Sequence, residues 1–193
     1  MKVFGILLAA GLSERFESDK LFAFYKDKEL IRYPLETFLN CDEIDSIVIV
    51  CNETNIKKTK EILNSYVIDK KFELIIGGKT RQESEIFALN TLKLMDIDNN
   101  DLVAIHDCAR SFLPKDLLKE LIAEAKIHGS CSPYIKTSLY SKSSQELLTD
   151  NLVEIQTPQI FEYEILEDAY LINAEQEMIS HDTTQQVSKN LNI

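Results

Sequence analysis

Four short stretches of this chain place phosphate- and metal-binding residue types just beyond apolar runs. In "KVFGILLAAGLSERFESDKLF" the run Val3 to Ala10 ends at Gly11, and Arg15 and Lys20 follow closely. Small residues such as Ala9, Ala10 and Gly11 leave backbone amides bare, and bare amides can wrap phosphates as an anion nest. A guanidinium adds a fork matched to phosphate oxygens, and an ammonium adds a point charge. In "GGKTRQES", Gly77 and Gly78 end a run, and Arg81 and Ser84 share a helix face. Ser84 can hydrogen-bond a base edge or cap the helix. In "AIHDCAR", Asp107 can hold Mg²⁺ against phosphates. Arg110 can lock that carboxylate or contact a substrate. In "QTPQIF", Thr157 precedes a proline, which drives its backbone to an extended form and projects its hydroxyl from a rigid loop.

The spacing is neither GxxxxGK[ST] nor GxGxxG, so a standard P-loop ATPase and a dinucleotide fold are excluded. Only five glycines occur, and three of them stand at predicted strand ends, where a missing Cβ lets a ligand approach the backbone. His106 is expected to be a packed histidine. Cys41, Cys51, Cys108 and Cys131 have no CxxC spacing and read as small buried hydrophobes, with Cys108 the one beside the site.

Apolar runs alternate with helix-period segments. "KVFGILLAA", "DSIVIVC", "FELIIGG" and "DLVAIHD" predict strands, continuous and Val/Ile-rich as in strands buried on both faces. "KELIRYPLETFLNC", "NIKKTKEILNSYV", "RQESEIFALNTLKLM" and "PKDLLKELIAEAKIHG" predict helices. Pro34 predicts a kink in the first of these, while Pro114 and Gly129 bracket the fourth. The pattern predicts a Rossmann-like α/β fold, a mostly parallel sheet with helices on both faces. Ligands of such sheets sit beyond the strands' carboxyl ends. The Ser-rich stretch after Gly129 predicts a projecting β-arm at about 133–155, within one domain over 1–193, and "EYEILEDAYLINAE" a final helix.

The 193 residues carry a net charge of −11, which disfavours nucleic acid and anionic membranes as partners. The 45% hydrophobic content suffices for a core, and no apolar run approaches the roughly 20 residues that span a bilayer. With no basic leader or cleavage pattern, a cytoplasmic protein is expected.

The four stretches, in this order, resemble the patterns AAGxGxR…PK.F, GGxxRxxS, HDaaRP and TPQ.F of the 2-C-methyl-D-erythritol 4-phosphate cytidylyltransferases. Ribitol-5-phosphate cytidylyltransferases share them and are the main rival. The resemblance implies a homodimeric nucleotidyltransferase that moves CMP from CTP to a polyol phosphate with Mg²⁺. It implies that Ala9, Ala10, Gly77 and Ser84 read the cytidine, with Gly78 and Arg81 in the same motif, and that Gly11, Arg15 and Lys20 hold the triphosphate. It puts Asp107 beside Mg²⁺ and the polyol, and Arg110 and Thr157 at the polyol phosphate. Thr137 matches an arm threonine that serves the partner subunit's site.

The chain departs from these patterns in several places. Asp19 replaces the proline before the lysine, Ser111 follows Arg110 in place of proline, and Lys136 replaces an arm aspartate. The arm arginine aligns near Thr149, and no arginine follows Arg110, which leaves Lys136 or Lys142 as arm cations. "SHDTTQQVSKNLNI" keeps Asp182 and Thr183 of a Thr-Asp-Asp segment, but the C-terminal lysine and last helix that the resemblance implies are missing from this sequence, and Lys189 is a poor stand-in. The nucleotide half is therefore expected intact and the acceptor half weakened, with a nucleotide-binding homologue without turnover as a further alternative.

Overall fold

The computed structural model describes residues 1–11, 19–144, 147–175 and 183–191; of these, 140, 148, 151, 172–175, 186 and 189–191 are described by backbone alone. Arg15 and Asp182 lie outside the described residues, as does the Lys189 side chain.

In chain order the elements are β1 (Val3–Ala9), a 3₁₀ turn (Lys20–Phe22), β2 (Phe24–Tyr25), β3 (Lys28–Glu29), α1 (Arg32–Leu39), β4 (Ser46–Cys51), α2 (Ile56–Leu63), β5 (Lys71–Ile76) and α3 (Arg81–Leu94). There follow β6 (Leu102–Asp107), α4 (Lys115–His128), β7 (Ser130–Cys131), β8 (Tyr134–Tyr140), β9 (Leu147–Ile155), β10 (Gln159–Glu162), α5 (Tyr163–Glu175) and α6 (Thr183–Leu191).

The main sheet runs β5-β4-β1-β6-β10-β7, with β5, β4, β1 and β6 parallel and β10 antiparallel to both its neighbours. Alternate residues of β1 feed two cores. Val3, Leu7 and Ala9 pack with α1, α2 and α4, while Phe4 and Ile6 pack with α3, α5 and α6. Helices thus cover both faces, as the sequence predicts. The chain moves from β1 out to β4 and β5, then returns to β6 on the other side of β1. That reversal opens a crevice at the carboxyl ends of β1 and β6, the usual ligand position in such sheets.

Several local expectations are revised. The first helix begins at Arg32, because Lys28 and Glu29 pair with Phe24 and Tyr25 about a turn in which Lys26 has φ 57°. Pro34 causes no kink: it occupies the first turn of α1, where an N–H has no intrahelical acceptor to lose. β5 is an edge strand with Lys71, Phe72 and Glu73 exposed, so it is not buried on both faces. "QTPQIF" leaves the arm and joins the main sheet as β10, after a cis Thr157–Pro158 bond. α6 is an element the sequence reading lacks.

Among the described residues, β8 and β9 pair only with each other, as a hairpin from Tyr134 to Ile155 with an irregular register around Thr137–Tyr140. Its base is closed by Gln156 N donating to the Pro133 carbonyl (2.8 Å). Ile135, Leu139 and Leu152 are exposed on it.

Candidate functional site

The β1 end is fixed from below by Asn55, a buried residue at the start of α2. Its amide Nδ2 donates to the Ala9 carbonyl (2.8 Å) and to Asp19 Oδ2 (3.2 Å), and its Oδ1 accepts from Asn52 N (3.0 Å). Asn52 Nδ2 in turn donates to the Ala10 carbonyl (3.3 Å). With both carbonyls held downward, the β1 loop opens on Ala10 and the exposed Gly11. Asp19 also accepts from Leu21 N (3.1 Å) and so caps the 3₁₀ turn that carries Lys20. Asp19 thus does by hydrogen bonding the positional work that a proline ring does by stiffness. Neither asparagine was singled out from sequence, since a lone Asn before a helix reads only as a cap.

Gly77 crosses the end of β4, where its N–H donates to the Cys51 carbonyl (2.7 Å). A Cβ there would lie 2.6 Å from Ser84 Oγ, 2.8 Å from Val50 Cγ1 and 3.0 Å from Ala10 Cβ, so only glycine lets this loop touch β1. The cap of α3 is Thr80, in a reciprocal capping box with Glu83. Ser84 does not cap. Its buried hydroxyl donates to the Thr80 carbonyl (2.9 Å) and accepts from Gly78 N (3.1 Å), tying the glycine loop to the helix.

Asp107 ends β6 and is gripped on both oxygens. Arg81 Nε and Nη2 each lie 3.3 Å from Oδ1, and Arg110 Nε lies 3.5 Å from Oδ2. Arg81 also pairs through Nη1 with the buried Glu85. Burial works against the Arg81 charge, but Glu85 and Asp107 outweigh it and hold the guanidinium protonated. Arg110 Nη1 donates to Gln156 Oε1 at the hairpin base. The carboxylate thus both receives Arg110 and shares it with the hairpin.

Thr157 sits under this arrangement, buried, so its hydroxyl turns inward to β6 and does not project from the loop as the sequence predicts. Its Oγ1 accepts from Asp107 N (3.3 Å) and meets His106 Nδ1 (2.9 Å). His106 Nε2 faces the Arg110 carbonyl (3.1 Å), which can only accept, so the ring proton is on Nε2 and Nδ1 accepts from Thr157. Burial lowers the His106 pKa to about 4, so it is neutral near pH 7, the packed histidine the sequence predicts. Cys108 is completely buried and burial pushes its thiol well above the ordinary range, which makes it inert. Ser111, where proline was expected, closes the loop by donating to the Cys108 carbonyl (3.2 Å).

Lys20 and Arg110 line one open cavity of about 340 Å³ with Leu30, Ala109, Ser111 and Phe112. The structure therefore gathers Ala9, Ala10, Gly11, Lys20, Gly77, Gly78, Arg81, Ser84, Asp107, Arg110 and Thr157 at one rim of the sheet. Thr137 stands away from it on the hairpin, as do Lys136, Lys142 and Thr149. Among the described residues no three or more acidic, His or Cys side chains cluster as metal ligands, and no helix is long and apolar enough to cross a membrane.

Known proteins resemble this chain in sequence and in fold. The family model of 2-C-methyl-D-erythritol 4-phosphate cytidylyltransferase (IspD) matches residues 3–190. The 2-C-methyl-D-erythritol 4-phosphate cytidylyltransferase of Clostridium tetani is 34% identical over 170 residues, covering 83% of this chain and 67% of that protein. Its namesake from Thermosipho africanus is 34% identical over 178 residues, covering 87% and 76%. A solved 4-diphosphocytidyl-2C-methyl-D-erythritol synthase from Anaerococcus prevotii superimposes with a TM-score of 0.77 at 22% identity, over 96% of this chain and 82% of that one. The Francisella tularensis 2-C-methyl-D-erythritol 4-phosphate cytidylyltransferase gives 0.77 at 20% identity, over 98% and 86%, and at such identities the likeness is one of fold. On the family-model match and these sequence relatives, the chain belongs to the 2-C-methyl-D-erythritol 4-phosphate cytidylyltransferase family.

Proposed function

We propose that this protein transfers CMP from CTP to 2-C-methyl-D-erythritol 4-phosphate and releases pyrophosphate, a step of non-mevalonate isoprenoid synthesis. The observation that carries the reading is the shared cavity of Lys20 and Arg110 at the β1/β6 crevice, in a chain matched by the family model over 3–190. A phosphate oxygen of the acceptor attacks the α-phosphorus of CTP. The bond to the oxygen bridging to the β-phosphorus breaks, and pyrophosphate leaves with that electron pair. No protein nucleophile takes part, so catalysis is positioning and charge neutralisation. That chemistry needs cations serving donor and acceptor phosphates within one space.

In this reading the β1 loop, Gly77 and Gly78 receive the cytidine with Ser84, which ties their loop to α3, while Arg81 braces Asp107 beside them. Gly11, Arg15 and Lys20 hold the triphosphate. Asp107 and Arg110 form the acceptor side, Thr157 supports the Asp107 backbone from beneath, and Thr137 is delivered by a partner's hairpin in a homodimer. Asp107 is the carboxylate that would hold Mg²⁺ together with substrate phosphates, and it would do so by giving up Arg110, the longer of its two guanidinium contacts at 3.5 Å. When bound, the ion neutralises phosphate charge. Four unpaired cysteines suit a reducing compartment such as the cytoplasm.

The test is pyrophosphate release from CTP and Mg²⁺ with each acceptor in turn. Turnover with 2-C-methyl-D-erythritol 4-phosphate well above that with ribitol 5-phosphate is expected. Preference for ribitol 5-phosphate would reassign the acceptor, and CTP binding without pyrophosphate from any polyol phosphate would end the enzymatic reading.

A further inference from the structure

Glu85 is a carboxylate with 2% of its surface exposed, on the α3 face that packs against α5 and α6. A buried charge is costly unless paired and hydrogen-bonded. Among the described residues, its hydrogen-bonding partners are all donors. Arg81 Nη1 pairs with Oε1, Thr183 Oγ1 donates to Oε1 (2.9 Å), and Tyr170 donates to Oε2. Arg81 Nη1 also donates to Thr183 Oγ1 (3.0 Å). The other edge of the same guanidinium, Nε and Nη2, faces Asp107 Oδ1 at 3.3 Å. The planar group is therefore held along one edge by Glu85 and Thr183 and offers its second edge to the site. The backbone amides of Thr183 and Thr184 donate to Gln159 Oε1 (3.1 and 3.3 Å), which locks the start of α6 to β10.

We propose that Glu85 is a positioning residue: it fixes the Arg81 guanidinium so that Arg81 presents Asp107 to the acceptor, and it couples the docking of α6 to the site. The proposal rests on the function proposed above for its kinetic consequence, though not for its structural one. Without Glu85, Arg81 swings about its stem, Asp107 Oδ1 loses its fixed partner, and the acceptor half loosens while the glycine loops that receive CTP stay as they are.

Two readouts separate this role from mere stability. The first needs no substrate. In ¹⁵N spectra the Arg81 Nε–H signal, assigned by its loss in Arg81→Lys, is expected to be slowly exchanging in the wild type and lost or averaged in folded Glu85→Gln. An unchanged signal overturns the proposal, whatever the enzyme's substrate. The second is kinetic: Glu85→Gln is expected to raise the acceptor KM about tenfold while the calorimetric Kd for CTP changes less than twofold. A lower melting temperature with unchanged KM and kcat also overturns it. Inactive wild type would fault the proposed reaction instead, leaving the spectral result to decide. Because Thr183 Oγ1 already lies 3.0 Å from Arg81 Nη1, Glu85→Gln with Thr183→Asp relocates the carboxylate and is expected to restore both readouts. Should Glu85→Gln not fold, Tyr170→Phe loosens the carboxylate without removing it. A severalfold rise in acceptor KM is then expected, and no rise overturns the proposal.

Discussion

The hydroxyl of Thr157 lies 2.9 Å from Nδ1 of His106 and spends its proton there. This bond joins the loop before β10 to the strand that ends in Asp107, and it needs a neutral imidazole. Burial holds the His106 pKa at about 4, below the 6.5 of an unfolded histidine. The unfolded chain therefore takes up a proton first. Stability from this residue is complete above pH 6.5, falls between 6.5 and 4, and is gone below 4. A shift of that size corresponds to roughly 3–3.5 kcal/mol. Urea titrations from pH 7.5 to 4 are expected to show the loss in the wild type and a flatter profile in His106→Gln.

Gly77→Ala inserts a methyl into contacts of 2.6 to 3.0 Å with Ser84, Val50 and Ala10. Overpacking of this kind costs about 1–3 kcal/mol. Because the loop must move off β1 to make room, CTP affinity is expected to fall along with the denaturation midpoint. Calorimetry and urea unfolding on the same preparation check the pair.

Lys20 sits on a half-buried turn at the cavity and not in the core. Lys20→Ala is expected to lower kcat on the order of 10²-fold or more, as loss of a charge-stabilising donor does, with a melting temperature within a few degrees of wild type. Equal turnover in the variant would remove Lys20 from the mechanism.

Asn55→Ala deletes the amide that ties Ala9 to Asp19. Leaving a buried carbonyl without its donor costs about 1–3 kcal/mol. The variant is expected to lose stability of that order and, through the freed turn, to raise the KM for CTP. Steady-state kinetics at saturating acceptor would show it.

The exposed Ile135 and Leu152 belong to the hairpin proposed to meet a partner. Ile135→Asp with Leu152→Asp is expected to convert a dimer to a monomer and to depress turnover. Light scattering checks the first effect and pyrophosphate release the second.

The parallel core was legible because β1, β4 and β6 are buried on both faces and so carry nearly unbroken apolar runs. β5 has the same strand propensity, but its place at the edge depends on pairing order, which one strand's residues do not encode. Pro34 was misread because a proline signals a break only when the helix start is known. The glycine, Asp107 and Arg110 positions were visible as strand-end chemistry, and their assembly at one rim follows from strand order. Asn55 and Glu85 were not visible, since their roles rest on partners up to about a hundred residues away. Neither residue type carries a local signature for a long-range bond.

The hairpin leaves the sheet at Pro133 and returns at Gln156, and that single closing bond isolates it from the strand register on either side. Gln156 nevertheless holds Arg110. A change of length or charge in this protruding module therefore leaves the scaffold packing alone and is felt first at Arg110, the residue proposed to hold the acceptor. On the proposed reading, the β1 and Gly77 loops stay constant while only the choice of acceptor is exposed to such a change.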